Sequence, residues 1–437
     1  MASVRTLVKK LIPTRLFKAI EPYGHLGESI VMNIVTGFPA RKLRIIGVTG
    51  TNGKTTTSFM IHRMLHEAGY TVGLLTTVAS GLGDDITPQQ EHITTAQSLK
   101  TLRRLKEFKN AGADWVVVET SSHSLAQFRV WGLKYEIGVL TNITPDHLDY
   151  HRTFERYVDA KRRLFKIVNR YGLKFGAVNA DDPSADAFVN TVANHTTYGI
   201  KKGDLRARKL RINSSGSTYS AEIGKKTYDI TVNIPGEFNV YNSLAAVAVG
   251  RKIGLSKKQI EKGTAALEGV EGRMNRINAG QDFTVIIDFA STPDAFENLF
   301  KSVRPITKGK LIAVFGSAGR RDESKRAVQG KIAATYADTV ILTEEDDRDV
   351  DGLQILEEIA TGARSVGKKD EKNLFMIPNR ENAIGFAMAQ ATHKHDVVVL
   401  LGKGHEKTIE RANGENPWNE AEVATAAIEA LLAQKKA

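Results

Sequence analysis

Short apolar runs alternate with amphipathic helical patterns along most of the chain from Leu43 onward. The run RIIGVTG precedes the helical segment TTSFMIHRMLHEAG, and the runs WVVVET and IGVLTNI follow further along. Unbroken apolar runs suit strands that are buried on both faces, whereas apolar residues spaced by three or four suit helices. This rhythm of strand, loop and helix predicts βαβ units and a mostly parallel sheet.

Two other stretches set the predicted domain boundaries. Residues 203–235 are rich in β-branched and turn residues and predict antiparallel hairpins, which would form a small sheet appended to the first. A second alternation of strand and helix patterns begins after Gly272-Arg273. We therefore divide the chain into a short basic N-terminal segment (1–42), a central domain (43–272) and a C-terminal α/β domain (273–437).

The N-terminal segment has apolar residues at helical spacing, interrupted by Lys9, Lys10 and Arg15. Because of these cations it contains no apolar core of a signal peptide, and no apolar run in the chain is long enough to cross a membrane. We predict a helix that packs on the protein with a solvated basic face. A helix lying on a membrane surface is the alternative.

Composition places the chain among ordinary globular proteins. It has 437 residues, of which 41% are hydrophobic and 25% are charged, and it has no cysteine. The length suggests about three domains. The absence of cysteine excludes disulfides, thiolate zinc sites and a cysteine nucleophile, and it fits a cytoplasmic protein.

The charge of the chain is unevenly distributed. The net charge is +12, from 61 Lys and Arg against 49 Asp and Glu. Residues 1–44 carry eight cations and two anions, so 8 − 2 = +6 of this excess lies there. Nucleic acid, an anionic membrane or an anionic substrate could account for it. No zinc-finger, helix-turn-helix or RNP pattern is present, so no nucleic-acid partner is expected.

A phosphate-binding loop follows the first predicted strand and opens the first long helix. Its predicted nucleotide-binding residues are Gly50, Thr51, Asn52, Gly53, Lys54, Thr55 and Thr56. Glycines let backbone N–H groups surround phosphate oxygens at the positive end of the helix dipole. Lys54 would reach the terminal phosphates and the Thr55 hydroxyl would bind Mg²⁺, although Val48 occupies the usual first glycine position. The predicted fold is thus α/β, with a P-loop parallel-sheet ATPase domain, its appended antiparallel sheet and a Rossmann-like C-terminal domain.

Further candidate residues follow two other strands. Glu119 ends WVVVET, and His147 lies in the loop after IGVLTNI. Ligands of open parallel sheets bind at the carboxyl ends of strands, so we expect both residues near the phosphate loop. Lys161 lies in a predicted helix, and its position in the pattern alone indicates a surface lysine.

The ordered motifs of the chain resemble those of the Mur ligases. They are TGTNGKTT, ETSSHSLAQFRV, LTNITPDHLDYH, AKRRLF, NADDP, GEFNVYNSLAA, GRMN, DFASTPDA and GKGHE. The resemblance covers about residues 40–435. It implies an ATP-dependent amide ligase of peptidoglycan synthesis that joins a diamino acid to UDP-N-acetylmuramoyl-L-alanyl-D-glutamate through an acyl phosphate.

The resemblance also implies roles for individual residues. Lys54, Glu119, His147 and Lys161 would be catalytic, with Lys161 carbamylated, and the last three would bind two Mg²⁺ ions together with Thr55. The adenine side of ATP would contact Asn239 and Asn242, and Arg273 and Asp288 of the C-terminal domain would close over the nucleotide. The substrate-binding residues would be Thr94, Thr95, Ser122, His123, Arg129, Asp346, Arg348, Gly402 and Glu406.

Three features differ from the family pattern. Only about 44 residues precede the phosphate-loop strand, where relatives have a domain for the UDP-sugar. Ser291 replaces a histidine, and Glu345-Asp346-Asp347-Arg348 replaces the DNPR motif of enzymes that add meso-diaminopimelate. Arg348 favours diaminopimelate, while the extra acids would suit lysine or ornithine.

Several alternatives to this function remain open at this point. They are a pseudomurein, amidating or poly-amino-acid ligase, a non-catalytic nucleotide-binding protein and an ATPase stimulated by nucleic acid. We expect a monomer.

Overall fold

The computed structural model describes residues 14–89, 95, 98–213 and 215–436. Thr94 and the part of the N-terminal segment before Thr14 lie outside these residues. The chain divides into two compact units. The first comprises Met1–Leu210, Tyr219–Ile230 and Tyr241–Ala266, and the second comprises Arg211–Thr218, Thr231–Val240 and Leu267–Ala437.

The elements up to Ala265 follow the predicted alternation. The helices are α1 (Thr14–Thr36), α2 (Lys54–Glu67), α3 (Ser98–Asn110), α4 (Ser122–Ala126), α5 (Leu148–His151), α6 (Phe154–Val168), α7 (Ala185–Val189), α8 (Glu237–Ile253) and α9 (Lys257–Ala265), with a 3-10 helix at Pro39–Lys42. The strands are β1 (Arg44–Thr49), β2 (Val72–Leu75), β3 (Ala79–Leu82), β4 (Asp85–Pro88), β5 (Trp115–Glu119), β6 (Tyr135–Leu140), β7 (Phe175–Asn179), β8 (Asn194–Gly199), β9 (Leu205–Asn213), β10 (Gly216–Ile223) and β11 (Lys226–Val232).

These strands form one sheet in the order β11-β10-β9-β8-β7-β6-β1-β5-β2-β3-β4. Strand β1 lies between β5 and β6 and is parallel to both. All its residues after Arg44 are buried, as expected for a strand covered on both faces. The predicted α/β fold is confirmed, and the hairpin-rich stretch extends the edge of this same sheet through β9, β10 and β11.

Helix α6 shows how a helical pattern positions a functional residue. Its first turn is capped by Thr153, whose Oγ1 accepts a hydrogen bond from the Arg156 amide at 3.3 Å. The buried side chains recur at intervals of three or four: Tyr157, Ala160, Lys161, Leu164, Phe165 and Val168. Lys161 thus lies in the apolar stripe that packs on the sheet, and the pattern-based prediction of a surface lysine is wrong.

Helix α1 turns polar side chains toward the protein. Ser29 Oγ lies 2.7 Å from Ser98 Oγ of α3, and Asn33 Nδ2 donates to the Trp131 carbonyl at 3.0 Å. The apolar side chains of Ile34 and Val35 are exposed. The described helix begins at Thr14 and overlaps only the end of the predicted one. The remainder of that prediction, and the side chains of its basic face, lie outside the described residues. None of the described helices combines the length and apolarity that a membrane crossing requires.

The second unit contains another, mostly parallel sheet in the order β12-β13-β17-β14-β15-β16, and a separate ribbon of β18 and β19. Its strands are β12 (Asn275–Ile277), β13 (Thr284–Asp288), β14 (Leu311–Phe315), β15 (Thr339–Leu342), β16 (Leu374–Met376), β17 (Val397–Leu401), β18 (Thr408–Arg411) and β19 (Gly414–Pro417). Its helices are α10 (Pro293–Val303), α11 (Lys325–Tyr336), α12 (Gly352–Arg364), α13 (Arg380–Gln390) and α14 (Glu420–Lys436), with a 3-10 helix at Arg304–Ile306. The predicted second α/β alternation is thus present.

Candidate functional site

The phosphate loop connects β1 to α2 and depends on two glycines. Gly53 has a φ of +79° and directly precedes α2. A Cβ atom at Gly53 would overlap the side-chain oxygen of Asn242, and one at Gly50 would overlap the hydroxyl of Thr141. The loop therefore approaches its neighbours more closely than other residues would allow.

The end of β6 holds the loop in place. The Thr51 amide donates to the Asn142 carbonyl at 2.8 Å, and the Asn52 amide donates to Asn142 Oδ1 at 2.9 Å. Thr141 Oγ1 donates to the Asn52 carbonyl at 2.6 Å. Our sequence reasoning assigned no role to Asn142, although its position directly after a buried strand is a signal that could have identified it.

Thr55 and Glu119 meet beside the loop. Thr55 Oγ1 donates to Glu119 Oε2 at 2.9 Å, and the same oxygen accepts the Thr77 amide at 3.0 Å. Glu119 is only 2% exposed. The expected convergence of the β1 and β5 ends is therefore observed. Lys54 Nζ donates to the Thr51 carbonyl at 2.7 Å, and Thr56 is buried in the first turn of α2.

Lys161 reaches the loop from α6. Its Nζ donates to the Gly50 carbonyl at 2.6 Å and lies 4.5 Å from the centre of the Tyr157 ring. Burial lowers the pKa of Lys161 well below its ordinary value, and Lys54 lowers it further against the opposing effect of Asp146 and Glu119. Burial thus favours a neutral amine at this position.

Tyr157 was missed by our sequence reasoning. Its hydroxyl lies 3.0 Å from Thr51 Oγ1, so it links α6 to the phosphate loop. It precedes Lys161 by one helical turn, and that spacing was the available signal.

His147 lies at the exposed side of this site. Its backbone φ is +53°, and its Nε2 lies 3.4 Å from Asp146 Oδ2. The ring centres of His147 and His123 are 4.6 Å apart. Burial lowers the pKa of His123 to about 3, with further lowering by His147 and His151, so His123 is neutral at physiological pH. Within the described residues no three His, Asp or Glu side chains are grouped so that they could bind a metal ion by themselves.

Three of the predicted substrate-binding residues surround the end of β5. Thr95 Oγ1 donates to the Glu119 carbonyl at 3.1 Å, and Arg129 Nη1 donates to the Thr95 carbonyl at 2.8 Å. Ser122 Oγ lies 3.0 Å from His151 Nε2. This arrangement places hydroxyl, imidazole and guanidinium groups next to the phosphate loop, where they could orient a carboxylate substrate.

The second unit contains the predicted nucleotide residues Asp288 and Arg273. The Asp288 carboxylate accepts the amides of Met274 and Ala290, each at 2.8 Å. Burial raises the pKa of Asp288, although the charge of Arg273 opposes the shift. The Arg273 guanidinium lies 4.7 Å from the centre of the Phe289 ring. Asn239 Nδ2 donates to the Pro235 carbonyl at 2.8 Å.

The predicted amino-acid pocket of the second unit centres on Lys403, which is fully buried. Its Nζ lies 2.8 Å from Asp346 Oδ1 and 2.6 Å from Glu406 Oε2. Burial would raise the pKa of Asp346, but Lys403 outweighs that effect and holds the pKa below its ordinary value. Gly402, with a φ of +101°, lies against Glu345, where a Cβ would crowd the carboxylate.

Arg348 lies near Asp346 and forms its own ion pair. Its Nε donates to Glu410 Oε2 at 2.7 Å, and its Nη1 donates to the Gly319 carbonyl. Sequence reasoning identified Arg348 and Glu406 but missed both Lys403 and Glu410, whose contacts join residues distant in the chain. This cluster brings carboxylates and cations together, which suits a ligand that carries both an ammonium and a carboxylate group.

Both units match known protein families. Residues 48–250 match the Mur ligase middle domain, and residues 272–404 match the Mur ligase, glutamate ligase domain. The chain is 40% identical over 412 residues to a UDP-N-acetylmuramyl-tripeptide synthetase from Roseiflexus sp. (strain RS-1), covering 90% of this chain and 80% of that protein. It is 40% identical over 375 residues to a UDP-N-acetylmuramoyl-L-alanyl-D-glutamate–2,6-diaminopimelate ligase from Clostridium tetani (strain Massachusetts / E88), covering 85% and 74%.

Solved structures show the same relationship. A UDP-N-acetylmuramoyl-L-alanyl-D-glutamate–2,6-diaminopimelate ligase superposes with a TM-score of 0.63 at 31% identity, covering 89% of this chain and 79% of that one. A folylpolyglutamate synthase from Mycobacterium tuberculosis, complexed with ADP, superposes with a TM-score of 0.70 at 17% identity, covering 93% and 94%. The second similarity concerns the fold alone.

Proposed function

The chain belongs to the Mur ligase family, and from this premise we propose that it joins a diamino acid to UDP-N-acetylmuramoyl-L-alanyl-D-glutamate, with cleavage of ATP to ADP and phosphate. The observation that carries the proposal is the meeting of Thr55, Glu119 and Lys161 beside the glycine loop. We propose meso-diaminopimelate in preference to L-lysine as the amino acid added, since relatives at 38–40% identity are named for it.

The reaction requires charge neutralisation more than a protein nucleophile. An acceptor carboxylate oxygen attacks the γ-phosphorus of ATP, and the bond to the β-phosphate oxygen breaks, so that an acyl phosphate and ADP form. The amine of the diamino acid then attacks the acyl carbon, loses a proton and expels phosphate. Lys54 and the loop amides would bind the phosphates, and Thr95, Ser122 and Arg129 would orient the acceptor.

Thr55 and Glu119 fit a Mg²⁺ ion, because their oxygens lie 2.9 Å apart in a buried position. Mg²⁺ typically takes one or two protein oxygens and completes its shell with phosphate and water oxygens. When bound, Mg²⁺ would neutralise charge on the phosphates. We place His147 and Lys161 as further ligands in this proposal.

Lys161 fits the proposed carbamylation. A neutral amine can add to CO₂ and release one proton, which gives a carbamate of charge −1. Since burial lowers the pKa of Lys161 well below its ordinary value, more of the neutral form is present than in an exposed lysine. The carbamate would present oxygen ligands for a second Mg²⁺ next to the Gly50 carbonyl.

The amino-acid pocket would use its paired charges for recognition. Glu406 and Asp346 would attract an ammonium group, and Arg348 would pair with the distal carboxylate of diaminopimelate in place of Glu410. Lysine and ornithine lack that carboxylate.

The proposal is tested by phosphate release and mass spectrometry. The purified protein is supplied with ATP, Mg²⁺, the UDP-muramoyl dipeptide and, separately, diaminopimelate, lysine or ornithine. We expect ADP, phosphate and a tripeptide product with diaminopimelate, and no turnover in the control variant Lys54→Ala. Phosphate release without a tripeptide from any of the three amino acids would overturn the proposed function and favour another acceptor.

A further inference from the structure

A cleft in the first unit lies beside the proposed catalytic site. It is bounded by Pro22 of α1, Ala126 of α4, the end of α5 and one face of α6, and its volume is about 470 Å³. Ligand-binding pockets typically have volumes of roughly 300–1,000 Å³. The cleft is therefore large enough for part of a substrate.

Three guanidinium groups line this cleft. Arg156 and Arg163 lie two helical turns apart on α6, and Arg152 lies in the turn before that helix. One lining carboxylate is Asp159, and it already pairs with Arg162 at 2.7 Å. Within the described part of the chain, no carboxylate lies at ion-pair distance from the three lining arginines. Glu21 of α1 lies near the lining residue Tyr150, so the three guanidinium groups face two carboxylates and the cleft has an excess of positive charge.

The backbone of Arg152 supports a binding role. Its φ of +70° lies in the left-handed region that favours glycine. A non-glycine residue in such a conformation is costly, and such residues are found preferentially at ligand sites. Packing of the Arg152 side chain does not offset this strain, because the side chain is exposed.

Arg163 is held in place by the protein. Its Nη1 donates to the carbonyls of Leu125 and Ala126, each at 3.2 Å, and its guanidinium lies 5.3 Å from the centre of the Phe128 ring. A positioned guanidinium loses less conformational freedom on binding an anion.

One residue of the cleft contacts the proposed acceptor-binding residues. His151 lines the cleft and lies 3.0 Å from Ser122, one of the proposed acceptor-binding residues. The ring of His151 is also 5.3 Å from that of Tyr157, whose hydroxyl contacts the phosphate loop. The cleft is therefore separated from the proposed acceptor-binding residues by a single side chain, that of His151.

We propose that this cleft binds the diphosphate of the nucleotide-linked acceptor through Arg152, Arg156 and Arg163. Three cations match the charge of a diphosphate better than the single charge of a peptide carboxylate, and guanidinium groups bind phosphate oxygens in pairs. This inference rests on the proposed function, since it requires a nucleotide-linked acceptor.

Calorimetric titration with UDP tests the assignment directly. The full chain is first saturated with ADP and Mg²⁺, so that the phosphate loop is occupied. The variant Arg152→Gly removes one guanidinium group and relieves the backbone strain, so we expect it to fold. The variant Arg156→Gln removes a second guanidinium group. Each variant should weaken UDP binding about tenfold or more, with binding also weaker at high salt. Arg170→Gln, an exposed arginine after the end of α6, is the matched control and should bind as the parent does.

Kinetics supply the second readout. Both variants should raise KM for the UDP-muramoyl dipeptide about tenfold, with kcat and the KM for ATP nearly unchanged. Unchanged UDP affinity in both variants, equally tight binding of uridine, or loss of UDP binding on saturation with ADP would each overturn the assignment. If UDP binds as expected but no tripeptide forms, the cleft assignment stands and the proposed function fails. If tripeptide forms and the KM for the UDP-muramoyl dipeptide is unchanged in both variants, the proposed function stands and the cleft assignment fails.

Discussion

Two buried lysines, one in each unit, show how surroundings set the chemistry of the same side chain. Lys161 is 2% exposed and Lys403 is fully buried. Lys161 donates to the Gly50 carbonyl and packs over an aromatic ring, and burial lowers its pKa well below the ordinary value. Burial also acts to lower the pKa of Lys403, but the adjacent Glu406 and Asp346 carboxylates outweigh it and raise the pKa.

From this difference in pKa we expect a reactive lysine in the first unit and a structural lysine in the second. A buried lysine without a carboxylate at ion-pair distance favours its neutral form, which can react as a nucleophile. A lysine between two carboxylates stays charged and holds those acids in place. We therefore expect Lys161 to matter for turnover and Lys403 to matter mainly for the stability of its unit.

The largest expected effect is that of Lys161→Ala on turnover. Loss of the proposed carbamate should lower kcat about 1,000-fold, as for removal of a major electrostatic contact, while the unfolding free energy changes little. A short carboxylic acid added to the assay should restore part of the activity by occupying the vacated space. Unchanged turnover would refute the role of Lys161, and a large loss of stability would show that it is structural like Lys403.

The next effect is that of Lys403→Met on stability. Removal of this cation leaves Asp346 and Glu406 close together without their partner, so the second unit should lose about 3 kcal/mol of unfolding free energy. Hydrogen exchange followed by mass spectrometry separates this unit from the first. Lys407→Met, which breaks the half-exposed pair with Glu271, is the control and should cost less than about 1 kcal/mol. Equal losses in the two variants would contradict the assigned role of Lys403.

The smallest expected effect is a loss of stability of the first unit at acidic pH. Burial lowers the pKa of His62 in α2 to about 4, against an ordinary value of 6.5. Below pH 6.5 the unfolded chain gains a proton that the folded one does not, so stability is present at higher pH and is lost as pH falls through 6.5 toward 4. At pH 5 the loss should be about 2 kcal/mol.

Hydrogen exchange at pH 7 and pH 5 checks this expectation. His62→Gln should remove the part of the acid-dependent loss that His62 contributes, about 2 kcal/mol at pH 5. A loss of similar size should remain in the first unit, because burial also lowers the pKa of His123. The pKa of Asp346 is lowered, so its contribution to the second unit should persist over this pH range. If both units lost protection equally and His62→Gln did not change that loss, the expected difference in acid stability between the two units would be wrong.

The elements of the fold were largely predictable from local pattern. The unbroken apolar run of β1 and the spacing of buried residues in α6 follow directly from the sequence. The meeting of Thr55 and Glu119 was predictable as well, because parallel strands bring their carboxyl ends to one edge of a sheet.

Side-chain partners from distant segments were not predictable in this way. The Arg348–Glu410 pair joins residues 62 positions apart, and no local sequence pattern identifies either residue as the partner of the other. The residue pattern alone also predicted, wrongly, that Lys161 lies on the surface. In the sequence, a lysine inside the apolar stripe of a helix has the same neighbours as a lysine at the edge of that stripe. Resemblance to the Mur ligases, not periodicity, indicated its role.

By itself the sequence determined the order of strands and helices, the phosphate loop and the family. These depend on local spacing and on residues close together in the chain. Only the tertiary structure decided which cations are paired, which lysine is desolvated and where Arg152, Arg156 and Arg163 meet in one cleft. The physical reason is that burial and electrostatic interaction depend on distances in space, which packing sets after the elements have formed.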